Sequence, residues 1–430
     1  MLTPSATVMF FRNAVRVLAP LLFVFLVFPA QAAPAGLDGR LIVGYQGWFG
    51  CPGDDGENKQ WQHWFDGPAA PASLTVEILP SLREFKTADL CDTGLKRRDG
   101  SAVYVFSSQN PQVVARHFEW MRAQGIDGVA FQRFVSHTQH ADLRKRSDNV
   151  LRHVRASAEQ TGRAFYVTYD VSGTDEATVV VAIRADWKYL TGEMKITQSA
   201  AYLSDGGKPV LQLWGFGFKD HPGTPEAATA LIADLKAGTA GLGKATVVGG
   251  VPAGWRTLSS DSRSEPGWAA AYRSYDVISP WAVGRFVDDQ GADRFRRDVI
   301  EPDIAETRRL NIGYMPVVFP GFSWRNLMTR RGQPDKAILN QIPRRCGDFL
   351  WHQVTNAAGS GATALFAAMF DEVDEGTALF ALEAGADRSP AGTIMLSLGQ
   401  DGCKLPDDWY LGIAGKAARL LHEQRGPAKR

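Results

Sequence analysis

ATALFAAMFDEVDEGTA, residues 362–378, is an apolar stretch that ends abruptly in carboxylates. From Ala362 to Met369 every residue is small or apolar, the pattern of a strand buried on both faces. Phe370 then leads into Asp371, Glu372, Asp374 and Glu375, four acids within five positions. Crowded like charges raise one carboxyl pKa above its neighbour's, and they are costly unless they face a substrate, a metal or basic partners. A solvated acidic turn ahead of a helix is the plain alternative.

Before this stretch, short apolar runs alternate with segments of helical period. Strands are expected at Leu41–Tyr45, Ile126–Phe131, Ala164–Tyr169, Val210–Trp214, Ala245–Gly249, Val277–Ile278 and Ile312–Phe319, with the run from Ala362 as the eighth. Pro111–Gln124 carries Val113, Val114, Phe118 and Met121 on one helical face, opened by Asn110 and Pro111 and closed by Gly125. Further helices are expected over 149–160, 225–240, 268–274, 295–310 and 346–358, and a last loop and helix over 398–424. Strand alternating with helix implies a parallel sheet with right-handed crossovers. Eight such strands imply an α/β fold closed into a (β/α)8 TIM-type barrel, one domain over residues 34–430 with long βα loops; an open doubly wound sheet is the alternative. The connection from Gln46 past Gly100 is long and rich in Gly, Pro and aromatic residues, as functional loops are.

The 430 residues are 45% hydrophobic with 12 Trp, 23 Phe and 10 Tyr, enough for one large core. A formal charge of +1, with both signs interleaved, offers no basic field for nucleic acid and no polybasic patch for a membrane, and suits a neutral polar substrate. Arg12 and Arg16 precede the apolar run Val17–Pro29, and Ala30-Gln31-Ala32 offers small residues for cleavage, so residues 1–33 read as a signal peptide. The run is too short for a comfortable membrane span. A secreted or periplasmic monomer is expected, with no membrane partner beyond the export signal. The four cysteines permit two disulfides in three pairings, and Cys51 with Cys91 is favoured because both lie in the early loop region. No two cysteines share the spacing of a zinc site, so neither metal nor cofactor is expected.

Active sites of such barrels lie at the carboxyl ends of the strands. Those ends carry Tyr45, Gln132 with Arg133, Asp170, Trp214, Trp255, Trp281, and Glu372 with Glu375. Aromatic residues beside amides, an Arg and carboxylates suit a sugar, whose ring face stacks while its hydroxyls bond. Most glycoside hydrolases need two carboxyl groups, one to protonate the leaving oxygen and one as nucleophile or base. Glu372 and Glu375, three apart, reach one cavity if the chain turns there and diverge if it continues extended.

FDEVDEGT, Phe370–Thr377, resembles the FNEWHEGT signature of the endo-alpha-mannosidase family, glycoside hydrolase family 99, and its wider 71/99-like group, some of whose bacterial members carry the label xylosidase or arabinosidase. YQGWFG from Tyr45 resembles that family's YYPWYG, and Trp61-Gln62-His63-Trp64 its Y-x-H-W. Phe106-Ser107-Ser108-Gln109-Asn110-Pro111 resembles a YSSxDP segment, and Lys208-Pro209 and Pro320-Gly321-Phe322 have counterparts, so the resemblance spans nearly the whole chain after residue 33. It implies a (β/α)8 retaining hydrolase that cleaves an alpha-linked glycan internally. Glu372 would assist attack by the sugar's own 2-hydroxyl, and Glu375 would be the general acid and then the base for water. Tyr45, His63 and Trp64 would line the glycone side; Arg133, Asp170 and Trp281 are substrate-binding candidates from strand position. Asp371, Val373 and Asp374 stand where the signature has Asn, Trp and His, so mannose specificity does not carry over. A non-catalytic carbohydrate-binding barrel, with the acids wrongly poised, is the second reading. A metal-assisted hydrolase on Asp371, Glu372, Asp374 and His63 is a weaker third, since no H-E-x-x-H or EF-hand pattern is present.

Overall fold

The computed structural model of the chain describes Met1, residues 36–55 and residues 58–425. The signal peptide expected over residues 1–33 lies, but for Met1, outside them. Eight parallel strands form the barrel: β1 (Leu41–Tyr45), β2 (Gly128–Phe134), β3 (Ala164–Asp170), β4 (Lys208–Trp214), β5 (Thr246–Val251), β6 (Val277–Pro280), β7 in two pieces (Gly313–Tyr314 and Val317–Val318) and β8 (Leu365–Ala367). Each pairs with its successor, and β8 pairs with β1 through Leu41–Leu365, Ile42–Phe366 and Val43–Ala367. The first piece of β7 bonds to β6 and the second to β8, so the ring closes through one segment of chain. Pro316 explains the break: it has no N–H to donate, yet its carbonyl accepts from Phe366 N at 3.0 Å, while Met315 N donates to Ile278 O at 2.8 Å. The chain is a (β/α)8 barrel, and the open doubly wound sheet is set aside.

The helices follow their sequence signals. Asn110 caps Pro111–Gln124 by accepting from Gln112 N, Gly125 ends it at φ 77°, and Thr224 caps Pro225–Ala237 by accepting from Ala227 N. The helix expected from 149 starts earlier and spans Ala141–Thr161, because its charged first turns hide its period. The last helix is Trp409–Arg425. The connection between β1 and the first helix contains an antiparallel hairpin, Cys91–Lys96 with Ala102–Val105, that CDTGLK does not advertise by any clean alternation.

Two disulfides are present: Cys51–Cys91, as expected, ties the start of this connection to the hairpin, and Cys346–Cys403 ties the entry of helix Asp348–Gly359 to the C-terminal loop. Cys51 and Cys91 are 40 residues apart, so replacing both by Ser is expected to cost about 4 kcal/mol in the loop-entropy treatment. Denaturant unfolding of the double variant measures it; a midpoint unchanged from wild type would count against that constraint.

Candidate active site

The acidic turn is built from backbone bonds. Phe370 N donates to Gly44 O at 2.7 Å, in a place where a Cβ on Gly44 would lie 2.2 Å from Met369 Cε. Asp371 accepts from the N–H groups of Gln46 and Gly47, both at 2.8 Å, so its carboxyl brackets β8 to the loop after β1. The chain then folds back: Thr377 N and Ala378 N both donate to Glu372 O, at 3.1 and 3.0 Å. Gly376 sits at φ 62°, and Arg344 closes the turn by donating to Gly376 O and Ala378 O at 2.7 and 2.8 Å. The segment is a turn and not an extended continuation, the condition under which both glutamates reach one cavity.

The two glutamates differ in how they are held. Glu372 is 7% exposed; it accepts from Gln46 Nε2 at 2.8 Å and from Thr377 Oγ1 at 2.7 Å. Glu375 is half-buried, and no hydrogen bond restrains its carboxyl among the described residues. Burial, then the nearby Glu375 and Asp374, push the Glu372 carboxyl well above the usual range. Burial between the cleft walls, then Asp374, raises Glu375 to about 7, opposed by Arg331. Carboxyls that repel this strongly hold a proton between them near neutral pH.

Both line a cleft of about 680 Å³ at the carboxyl end of the barrel. Gln46 and Trp48 from the β1 loop join the acids on one wall, and His63 stacks on Trp48 with ring centroids 3.9 Å apart while its Nδ1 lies 3.3 Å from Asp374 Oδ2. Trp214 at the end of β4 and Trp281 just after β6 line the same cleft, in edge-to-face contact at 5.2 Å. Carboxyls and aromatic faces in one cleft suit a sugar ring, whose hydroxyls bond while its apolar face stacks. Among the described residues no group of three or more His, Cys, Asp or Glu is arranged to hold a metal ion.

Asp170 also reaches the cleft, accepting from Gln132 Nε2 at 2.7 Å and Ser172 N at 2.8 Å, and burial raises its carboxyl from 3.8 to about 6. The folded state therefore binds this proton more tightly than the unfolded chain, so the stability Asp170 contributes is greatest at low pH and is lost as pH rises from about 4 to about 6, a change on the order of 3 kcal/mol. Asp170→Asn is expected to flatten that part of the stability–pH curve in denaturant titrations; an unchanged slope would refute it.

Of the residues singled out from sequence, Glu372, Glu375, His63, Gln132, Asp170, Trp214 and Trp281 meet in the cleft. Tyr45, Arg133, Trp64 and Trp255 do not; Trp255 is buried and donates to Asp303 at 2.8 Å. The reason for the first two is strand parity. Residues alternate between the barrel interior and the helix layer, and Gln46, Gln132 and Asp170 take the inward positions. Tyr45 thus points outward, fully buried, with its hydroxyl 2.9 Å from His117 Nδ1. The second strand also runs on to Phe134, so Arg133 lies within it and not beyond its end, facing outward and ion-paired to Asp186 and Asp148. Trp64 is buried under the loop against Phe49 and Phe106, donating to Phe106 O at 2.8 Å. Sequence reasoning missed Gln46 and Trp48 as lining residues; they lay in the YQGWFG stretch already quoted, one and three positions after Tyr45.

No family model matches the sequence, and no curated protein matches it. Solved structures do. The GH99 endo-alpha-mannosidase from Bacteroides thetaiotaomicron aligns over 91% of this chain and 100% of its own, with a TM-score of 0.64 at 16% identity. The chain shares its fold with that GH99 endo-alpha-mannosidase. A complex of the endo-alpha-mannosidase with BIS-TRIS-propane gives a TM-score of 0.63 over 91% of this chain and 99% of that one, again at 16% identity. A protein described as glycoside hydrolase-like gives 0.52 at 12% identity, over 83% of this chain and 98% of its own. Because the endo-alpha-mannosidase is matched along its whole length, the likeness is not confined to the barrel strands. At such identities it is a likeness of fold.

Proposed function

We propose that the chain is an exported glycoside hydrolase that cleaves an alpha-linked glycan internally, with retention of configuration, through Glu372 and Glu375. The observation that carries this reading is the pair itself: two carboxyls, one held and one unrestrained, in one cleft that Trp48, Trp214 and Trp281 also line. Fold likeness to the endo-alpha-mannosidase and the signature-like octet support it.

Burial and like charge raise Glu372 further than Glu375, but Glu372 accepts two hydrogen bonds that favour its ionised form and Glu375 accepts none, and on that geometry the shared proton is assigned to Glu375. Glu372 then takes the proton of the sugar's 2-hydroxyl as that oxygen attacks the anomeric carbon, while Glu375 protonates the departing oxygen and the glycosidic bond breaks. Water next opens the anhydro-sugar: Glu375, now ionised, accepts the water's proton, and Glu372 returns its proton to the 2-oxygen. Trp214 and Trp281 would carry the apolar ring face. Asp371 is spent on the backbone of Gln46 and Gly47, and Val373 is fully buried, so neither is available to reproduce a polar contact to mannose. The sugar is accordingly proposed to differ from mannose.

Export is supported by the leader-like residues 1–33 and by two disulfides, which persist in oxidising compartments. Among the described residues no helix is long and apolar enough to cross a membrane. The deciding experiment incubates the mature protein with alpha-mannans, arabinans, xylans and bacterial surface glycans and measures reducing ends, with the Glu372→Gln/Glu375→Gln double variant as control. Release that disappears in the double variant is the expected result. A glycan bound but never cut would replace the hydrolase with a binding barrel.

A further inference from the structure

A second buried carboxyl lies behind the catalytic turn. Glu77 is fully buried in the long connection after β1 and forms no salt bridge among the described residues. Its oxygens accept from Ser323 Oγ and from the backbone N–H of Asn326, each at 2.5 Å. Its own N–H donates to Val373 O at 2.8 Å, and its carbonyl accepts from Leu396 N at 2.7 Å. Ser323 in turn donates its N–H to Glu375 O at 3.0 Å, and Ser323 Oγ accepts from Asn340 N at 2.9 Å. Gly376 lies so close to Ser323 that a Cβ there would be 3.2 Å from Ser323 N. Four segments of chain thus meet at Glu77, its backbone tied to Val373 and Leu396 and its carboxyl to Ser323 and Asn326.

Burying a carboxyl with no salt bridge costs several kcal/mol, only partly offset by the nearby Arg325 charge, and apolar packing would hold loops together at less expense. What a carboxyl adds is two acceptors at a fixed angle, one for a side chain and one for a backbone N–H. Ser323 is the link that meets Glu375, the one acid in the cleft whose own carboxyl is unrestrained. Its placement therefore depends on its backbone, where Ser323 N donates to the Glu375 carbonyl itself.

Resting on the glycosidase reading above, we infer that Glu77 is a positioning residue for Glu375, acting through Ser323 and touching no substrate itself. Misplacing a general acid by a fraction of an ångström slows the step that needs the proton and leaves binding largely intact.

The test compares Glu77→Ala and the milder Glu77→Gln in the full mature chain, on a glycan the wild type cleaves and on an activated aryl glycoside of the same sugar. For Glu77→Ala, kcat on the glycan is expected to fall about 10- to 100-fold with KM changed less than about threefold, and to fall less on the aryl glycoside. Glu77→Gln, which keeps one acceptor, should fall between that variant and wild type. Equal losses on both substrates, a change confined to KM, or an unaltered kcat would each overturn the inference. If Glu77→Ala does not fold, the Gln variant is read against the same three outcomes. If the wild type cleaves no glycan, the hydrolase reading fails first, and a crystal structure of Glu77→Gln decides the positioning: a displaced Ser323 and Glu375 sustains it, and an unmoved Glu375 overturns it.

Discussion

Glu375→Gln is expected to slow cleavage of glycans with poor leaving groups by about 100- to 10,000-fold, and to slow activated aryl glycosides much less. A natural glycan leaves as an alkoxide unless protonated, whereas a nitrophenolate leaves unaided, so the ratio of the two losses isolates the proton donor. The raised carboxyl, at about 7, means that Glu375 is still substantially protonated at neutral pH. As pH climbs through that value the acid loses its proton, so kcat/KM should fall on the alkaline side in the wild type. In Glu375→Gln on an aryl glycoside this limb should vanish, since Gln does not titrate. Equal losses on both substrates, or an alkaline limb that survives the substitution, would remove Glu375 from the acid role.

Glu372→Gln is expected to abolish turnover on both substrate classes, by about 1,000-fold or more, because activation of the attacking oxygen is needed whatever the leaving group. Gln at 372 retains the shape and an acceptor for Gln46 or Thr377, so the turn should still form. The substitution also removes a carboxyl close enough to Glu375 to be raised by its charge. With less like charge nearby, Glu375 should ionise more readily, and its titration, followed by NMR of the labelled carboxyl, should shift to lower pH. A rate on the aryl glycoside within a few-fold of wild type would end the assignment. So would a Glu375 titration that stays in place, since the two groups would then not sense each other.

These expectations rest on parts of the molecule that were legible to different degrees. Strand number and order follow from patterning: runs buried on both faces need helices on the outside, and eight of them in alternation close a ring. The hairpin Cys91–Lys96 with Ala102–Val105 was hidden because Gly94 and polar residues break its alternation. The split of the seventh strand was visible only as Pro316, whose effect depends on which neighbour each side of it meets.

By itself the sequence determined that an apolar strand ends in four acids, that the chain alternates strand with helix, and that Glu372 and Glu375 stand three apart. Spacing is local, and local patterns survive any arrangement of distant segments. Only the folded structure decided that the turn brings both glutamates to one cleft, that Gln46 and Thr377 hold one of them, and that Trp214 lines that cleft with them. It also decided that Tyr45 and Arg133 point away. With a side-chain period of two, one residue of register separates the barrel interior from the helix layer, and that register is set by pairing with neighbouring strands far away in the chain.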